Sequence, residues 1–181
     1  MVSVSVVPTA HLPAAELAAI RDLMDAAFDN FTDLDWAHTL GGLHVVVRDA
    51  DARDGAVVAH GAVVQRRLLV EGRSLRCGYV ASVAVAPDRK REGLGDRVMA
   101  ELEALAPGHD LLALSSSTEG FPLYASRGWQ PWRGPSSVLA PSGIEPTPDR
   151  DGSIHVLGGP AGGPLDLDAP ITCDWRDGDV W

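Results

Sequence analysis

One segment near the middle of the chain restricts its fold more than any other. An apolar run at residues 83–85 reaches Pro87, which has no amide hydrogen and therefore ends strand pairing. A turn with three consecutive cations follows, and a helical pattern of apolar residues begins at Gly93. The segment predicts a strand, a loop and a helix in direct succession, as in folds that combine strands with helices.

The loop of this segment has the composition of an anion site. The first amides of a helix lack partners, the helix dipole adds partial positive charge, and Gly93 and Gly95 let a bulky group approach the main chain. Three cations, Arg89, Lys90 and Arg91, stand beside these glycines in a chain of net charge -10. The spacing matches neither G-x-G-x-x-G nor the Gly-Lys-Ser/Thr of a P-loop. A pyrophosphate carried by another cofactor is the functional interpretation, and a solvated basic turn before a core helix is the structural one.

The remaining patterns predict a mixed α/β order with an antiparallel first half. Strands are expected at 2–7, 43–48, 56–70, 75–85, 111–114 and 128–132, and helices behind Pro13 and at 93–105 and 118–127. The turn sequence DADARDG between the second and third strands predicts a hairpin.

The length of 181 residues and the apolar share of 45% suit one buried core, so residues 1–181 are expected to form a single domain. From residue 136 onward Pro, Gly and Asp dominate, which predicts a loop-rich segment over 136–181. Trp175 and Trp181 are costly to leave in water, so this segment is expected to fold back toward the substrate site.

Net charge, cysteine spacing and hydropathy limit which ligands, partners and compartments are expected. With 25 acidic against 15 basic residues, a nucleic-acid partner is not expected, and a cationic ligand is favoured. Cys77 and Cys173 have no metal-binding spacing, which predicts no metal and a reducing compartment. No membrane-length apolar run and no secretory leader is evident, so the expectation is a cytoplasmic protein without a membrane partner.

Residues 90–95, Lys-Arg-Glu-Gly-Leu-Gly, are similar to the Arg/Gln-x-x-Gly-x-Gly/Ala signature of the GNAT superfamily of N-acetyltransferases, with Lys90 in the place of the usual Arg or Gln. Strings outside this loop resemble the aminoglycoside 2'-N-acetyltransferases, namely FTDLDWAHTLGGLHV, HGAVVQRRL, LRCGYVASVAV, LSSS, LYASRGWQPWRGPSSVLAP and CDWRDGDVW. The resemblance implies the GNAT fold, an α/β architecture with a central splayed mixed β-sheet flanked by helices. It also implies acetyl-CoA as cosubstrate and a homodimer.

The resemblance assigns roles for cofactor binding and catalysis. The residues expected to bind acetyl-CoA are Val83, Ala84, Val85, Lys90, Arg91, Glu92, Gly93, Leu94 and Gly95. The amide of Val83 is expected to stabilise the oxyanion, Tyr124 to return a proton to the departing thiolate, and Ser115 to lie near the thioester.

The same resemblance assigns the amine substrate to Asp35, Ser82, Asp149, Asp151, Asp179 and Trp181, the last through its terminal carboxylate. One position departs from the pattern: the family carries Tyr-Val-Glu before the Val-x-Val strand, whereas this chain has Ala81 in place of the glutamate. A water chain to Asp35 or Asp179, an amine that is already neutral, or a different substrate would each accommodate that change.

The expected function is transfer of an acetyl group from acetyl-CoA to an amine of an aminoglycoside antibiotic, the 2'-amine first, by direct attack and with resistance as the result. Two alternatives stay open. The enzyme could acetylate another amine, such as a polyamine or a kasugamycin-like aminosugar, which Arg150 between two acids would favour. The protein could instead bind aminoglycoside or acyl-CoA without catalysis.

Overall fold

The computed structural model describes residues 1–52, 55–159 and 161–181. Contacts within the chain gather them into two compact units. Unit 1 comprises Met1–Val64 and Val80–Ala104, and unit 2 comprises Gln65–Tyr79 and Leu105–Trp181. The single-domain organisation stays a prediction. Arg53 and Asp54 of the predicted DADARDG turn, and Pro160 of the glycine-rich run, lie outside the described residues.

Unit 1 holds the first half of the predicted elements. In chain order these are β1 (Val2–Pro8), α1 (Ala14–Ala27), α2 (Asp33–Thr39), β2 (Leu43–Asp49), the first part of β3 (Val57–Val70), the last part of β4 (Arg73–Val85) and α3 (Leu94–Glu103). β1 pairs with β2 and β2 with β3, both antiparallel, so the predicted hairpin is confirmed.

Helix α1 follows Pro13 and buries one face. Ile20, Leu23 and Met24 lie on that face and form a core cluster with Val46 of β2 and Ala84 of β4. The apolar spacing seen in the sequence is therefore the spacing of a helix packed on strands. This packing fixes the end of β4 that precedes the basic loop.

Helix α3 approaches β3 closely because a glycine faces it. A Cβ built on Gly61 would lie 2.6 Å from Val98 Cγ1 and 2.9 Å from Leu102 Cδ1, both on the buried face of α3. Contacts below 3 Å force a shift, so a larger residue at position 61 would push α3 and the loop before it away from the strand.

Unit 2 contains the other ends of β3 and β4 together with β5 (Leu111–Ser115), α4 (Phe121–Ser126), β6 (Gln130–Pro131), β7 (Ser136–Ala140), β8 (Gly143–Pro146), β9 (Ile154–Gly158) and β10 (Ile171–Asp174). Its strands follow the order β6-β9-β5-β4-β3-β10-β7-β8. β4 pairs parallel with β5 and β10 parallel with β7, whereas β5–β9 and β10–β3 are antiparallel. The predicted mixed α/β sheet is confirmed.

Two parts of the chain differ from expectation. The sequence did not predict helix α2, which the structure contains. The tail from residue 136 contributes four strands, whereas a loop-rich segment was expected. The predicted strand at 128–132 narrows to the two residues of β6. The tail strands are short, and each is stabilised by pairing with residues far away in sequence, which local periodicity does not reveal. No helix in the described part of the chain is long and apolar enough to span a membrane.

Candidate active site

The loop after β4 has the conformation of an anion cradle. β4 ends at Val85, a single 3-10 turn covers Pro87–Arg89, and Arg91 and Gly93 both adopt left-handed backbone, with φ of 68° and 75°. Gly93 caps α3, and the helical ladder begins where the Arg97 amide donates to its carbonyl at 3.2 Å. The amides of the first turn precede that ladder, so they are the donors available to an anion.

The three cations of this loop differ in their partners. Arg89 donates to Asp49 Oδ2 at 2.6 Å and to both oxygens of Glu92 at 2.8 and 2.9 Å. Lys90 and Arg91 are exposed, and in the part of the chain that the structure describes neither forms an ion pair. Arg89 therefore holds the loop against β2, while the charges of Lys90 and Arg91 are exposed.

A side chain at position 93 would extend into open space, since no atom lies within 4 Å of a Cβ built there. The glycine is thus required by its positive φ and not by crowding inside the protein. Open space, first-turn amides and two exposed cations together fit a pyrophosphate group.

Ser82 is strained in the last part of β4. Its φ of 52° is left-handed, which a serine adopts at a cost of about 1–3 kcal/mol. Its main-chain oxygen is 3.0 Å from His60 Nδ1 and its hydroxyl contacts Thr39 Oγ1. Val83 and Val85 follow with half-buried side chains, and the Ala84 side chain is buried.

The structure brings Asp35 and Ser82 together through Thr39, which donates from Oγ1 to the carbonyl of Asp35 at 2.8 Å and contacts the Ser82 hydroxyl. The Asp35 carboxylate accepts from the amide of Thr32 at 2.9 Å and from its hydroxyl at 2.7 Å, closing a capping box on α2. One carboxylate oxygen of Asp35 is therefore occupied by the helix cap.

In unit 2, Tyr124 lies on α4 among aromatic rings. Its ring centroid is 6.0 Å from that of Trp129 and 6.3 Å from that of His155. Burial raises the pKa of the Tyr124 phenol above its ordinary value of 10, so the hydroxyl stays protonated in neutral solution. A phenol in this state can donate a proton but cannot act as a base.

The hydrogen bonds around Ser115, at the end of β5, determine which group receives its hydroxyl hydrogen. Ser153 Oγ donates to the Arg150 carbonyl at 2.7 Å, which uses its only hydrogen. The 3.1 Å contact between the Ser115 and Ser153 hydroxyls must then be donated by Ser115. Ser115 Oγ consequently offers lone pairs, and not a hydrogen, to a ligand.

Two of the acidic residues predicted in unit 2 lie beside the same arginine, whereas the third has a different partner. Arg150 Nη2 lies 2.8 Å from Asp179 Oδ2, and its Nε lies 3.6 Å from the exposed Asp149. The other oxygen of Asp179 accepts from the amide of Trp181 at 3.1 Å. Asp151 instead accepts from the amide and the hydroxyl of Ser136, at 2.8 and 2.7 Å.

The two tryptophans of the last residues behave differently. Trp181 is 3% exposed, its indole Nε1 donates to Thr147 Oγ1 at 2.8 Å, and its main-chain oxygen accepts from Arg176 at 2.7 Å. Trp175 is 46% exposed, so burial of an indole ring holds this segment at Trp181 and not at Trp175.

Sequence reasoning missed a buried pair of histidines in unit 1. His44 Nδ1 lies 2.9 Å from His60 Nε2, and both side chains have no exposed surface. Desolvation lowers the pKa of His44 to about 4 and that of His60 to about 3. The signal available in the sequence was a histidine in each of two apolar strands, which does not reveal that the two rings meet.

Comparison with known proteins places this geometry in a family. Residues 10–132 match the family model described as an acetyltransferase (GNAT) domain. The chain is 49% identical over 166 residues to an aminoglycoside 2'-N-acetyltransferase of Mycolicibacterium fortuitum, which covers 90% of this chain and 83% of that protein.

Solved structures support the fold. A GNAT family N-acetyltransferase of Escherichia coli in complex with CoA matches with a TM-score of 0.64 at 17% identity, over 98% of this chain and 89% of that one. A GNAT family acetyltransferase of Brucella melitensis in complex with acetyl-CoA matches with a TM-score of 0.55 at 18% identity, over 93% and 94%. The chain belongs to the GNAT acetyltransferases and, within them, to the aminoglycoside 2'-N-acetyltransferase family.

Proposed function

We propose that this protein transfers the acetyl group of acetyl-CoA to the 2'-amine of an aminoglycoside, and that resistance to the drug is the result. The observation that carries the reaction is the loop after β4, where left-handed Arg91 and Gly93 turn the chain into α3 beside two exposed cations. The substrate class rests on the name of the Mycolicibacterium fortuitum relative.

The cofactor is held mainly by main-chain groups in this proposal. Amides of residues 90–95 bind the pyrophosphate, with charge from Lys90 and Arg91, while Val83, Ala84 and Val85 pair with the extended pantetheine arm. Acetyl-CoA supplies a thioester carbonyl that a neutral amine can attack directly. The amide of Val83 donates to the carbonyl oxygen as negative charge develops there, an interaction typically worth about 3 kcal/mol.

Tyr124 acts as the acid. As the carbon–sulfur bond breaks, the phenol gives its proton to the sulfur and recovers one from solvent afterwards. Ser115 has its hydrogen committed to Ser153, so its oxygen can accept a hydrogen bond and orient the group that carries the sulfur. The proton on the attacking nitrogen leaves to water, because Ala81 has no acceptor where the family has a glutamate.

Carboxylates recognise the ammonium groups of the sugar. Asp35, Asp149, Asp151, Asp179 and the terminal carboxylate of Trp181 supply negative charge, and Ser82 supplies a hydroxyl. Buried Trp181 is anchored within unit 2 by the bond from its indole nitrogen to Thr147. Homodimerisation and cytoplasmic residence belong to the same proposal, and sedimentation of the purified protein tests the first.

One observation favours a second substrate class. Arg150 neutralises Asp179 at 2.8 Å, so this part of unit 2 is less negative than its carboxylates alone would make it. Acetylation of an aminosugar with fewer cations, or with an anionic group, is therefore the second candidate.

A thiol-detection assay with acetyl-CoA and a panel of amines tests both candidates. Thiol release with kanamycin- and gentamicin-type compounds, with the acetyl group located on the 2'-nitrogen by NMR, is the expected result. Release only with carboxylate-bearing aminosugars or polyamines would assign the second candidate. Binding measured by calorimetry without any thiol release would identify a binding protein and overturn the transferase assignment.

A further inference from the structure

The strained position of Ser82 is held from two sides in unit 1. Its carbonyl accepts a hydrogen bond from His60 Nδ1 at 3.0 Å. Its hydroxyl contacts Thr39 Oγ1, and because Thr39 donates to the Asp35 carbonyl, Ser82 must be the donor in that contact. The carbonyl and the hydroxyl of Ser82 are therefore both fixed by side chains.

Behind His60 lies a chain of polar groups that runs from buried His44 to half-buried Thr9. His60 Nε2 is 2.9 Å from His44 Nδ1, and His44 Nε2 is 2.7 Å from Thr9 Oγ1. Thr9 Oγ1 also accepts from the amide of Gly41 at 2.9 Å, so the far end of the chain is tied to the loop before β2.

One assignment of hydrogens satisfies this chain. A carbonyl oxygen only accepts, so His60 Nδ1 carries a hydrogen and, with the ring neutral, His60 Nε2 carries a lone pair. His44 Nδ1 must then donate to His60, which leaves His44 Nε2 to accept from the Thr9 hydroxyl. The Thr9 hydroxyl also lies 3.2 Å from the Gly42 carbonyl, but its single hydrogen goes to the nearer His44 Nε2 at 2.7 Å, and the Gly42 carbonyl keeps the amide of Thr9 as its donor at 3.0 Å. Donation runs in one direction from Thr9 to the carbonyl of Ser82.

The strain at Ser82 determines the direction of the next peptide group, that of Val83. A left-handed residue turns the following amide away from its place in a regular strand. Without a donor on the Ser82 carbonyl, the ordinary extended conformation of a serine would be favoured, and the Val83 amide would turn with it.

We propose that His44 and His60 are positioning residues that fix the carbonyl of Ser82 and thereby aim the main-chain amide of Val83. This inference rests on the proposed function, in which that amide donates to the thioester oxygen. The two histidines do not touch the reacting atoms; they act through Ser82.

Two substitutions at one position separate this role from general packing. His60→Leu removes the donor to Ser82, whereas His60→Asn can place its amide nitrogen where Nδ1 lies and keep that donor. Both substitutions lose the acceptor for His44 equally, so the difference between them isolates the bond to Ser82. Val47→Ala, a buried change in β2 outside the proposed machinery, controls for lost packing.

His60→Leu should lower kcat by about 10- to 100-fold while the KM for the amine changes little, as a misaimed catalytic group does. His60→Asn should recover most of that loss, and Val47→Ala should lower thermal stability without a comparable loss of kcat. Equal kcat in the Leu and Asn variants, or a loss in Val47→Ala as large as in His60→Leu, would refute the positioning role.

Imidazole nitrogen NMR on the unmodified protein keeps the inference testable if His60→Leu does not fold. The Nδ1 signals of both histidines should be those of protonated nitrogens and the Nε2 signals those of unprotonated ones. A hydrogen on His60 Nε2 would overturn the proposal. If the unmodified protein neither binds CoA nor releases thiol, the proposed function fails, while the NMR result and amide exchange at Val83 in the variants still decide the role of the pair.

Discussion

In the proposed reaction Tyr124 is the acid, and the structure buries it among aromatic neighbours. Its phenol is kept neutral, since burial raises the pKa above 10. Tyr124→Phe keeps the ring and its contacts with Trp129 and His155 but removes the proton. We expect kcat to fall by about one to three orders of magnitude with little change in the KM for either substrate, because the phenol acts on the transition state. Steady-state kinetics measure this.

The pH profile gives a control for this assignment. Because the pKa of Tyr124 lies above 10, turnover by the unmodified protein should show no loss of an acid between pH 7 and 9. Turnover of Tyr124→Phe within twofold of the unmodified protein, or a falling limb in that range which the substitution abolishes, would remove Tyr124 from the role of a neutral acid.

In the proposed function, Arg150 reduces the negative charge that an amine substrate would meet in unit 2. Its pairing with Asp179 at 2.8 Å and its proximity to Asp149 at 3.6 Å reduce the negative potential there. Arg150→Ala should raise kcat/KM for polycationic aminoglycosides by about two- to fivefold, the range that a partly exposed ion pair supports. Arg150→Lys, which retains the charge, should leave it nearly unchanged.

The comparison is made at low and moderate ionic strength, since salt screens exposed charges. An equal kcat/KM for the Ala and Lys variants across the aminoglycoside panel would show that Arg150 does not determine specificity. A loss in the Ala variant would instead make Arg150 a support for the fold of this segment.

At the scale of single residues, sequence motifs predicted which side chains are present but not how they are engaged. The tail motif named Asp179 and Trp181, whereas the structure adds that Asp179 is bonded to Arg150 and that Trp181 is anchored on Thr147. The contact between His44 and His60 depends on the register of β2 against β3, which no local pattern gives.

Helix α4 shows how an element can orient the side chain of Tyr124, the proposed acid. Gly120 precedes it with ordinary helical φ and ψ of -78° and -22°, so alanine would be conformationally allowed there. A Cβ at that position would nevertheless lie 2.8 Å from Tyr124 Cε2 and 2.7 Å from Ser116 Oγ. Gly120→Ala should displace the Tyr124 ring and lower kcat by about 10- to 100-fold.

The matched control is Gly108→Ala, since no atom lies within 4 Å of a Cβ built on Gly108. Activity and melting temperature of the control should stay close to those of the unmodified protein. CoA binding, measured by calorimetry, should be the same in both variants. Unchanged turnover in Gly120→Ala would mean that the ring of Tyr124 is not held by this contact.

Among the elements, those with long apolar patterns were predictable and the short ones were not. α1 and β3 agree with their predicted positions because each has many apolar residues at one periodicity. α2 has only seven residues, and its one local signal was the capping pair Thr32 and Asp35. β10 has four residues and is stabilised by pairing with β3 and β7, which sequence periodicity cannot show.

For the molecule as a whole, the two buried histidines couple folding to pH. Burial lowers the pKa of His44 to about 4 and of His60 to about 3, whereas an unfolded histidine titrates near 6.5. Below pH 6.5 the unfolded chain therefore binds protons that the folded chain does not. The free energy of unfolding should fall as pH decreases from 6.5 toward 4, with a limiting slope of about 1.4 kcal/mol per pH unit for each histidine.

Urea unfolding at pH 7.5, 6.5, 5.5 and 5.0 measures this slope above the range where most carboxylates titrate. His60→Asn removes one of the two groups, so its stability should depend on pH about half as steeply as that of the unmodified protein. His11→Asn, a change at an exposed histidine, should leave the slope intact. Identical slopes in all three proteins would mean that His60 takes up its proton over the same pH range in the folded protein as in the unfolded chain, and its burial would then not couple folding to pH.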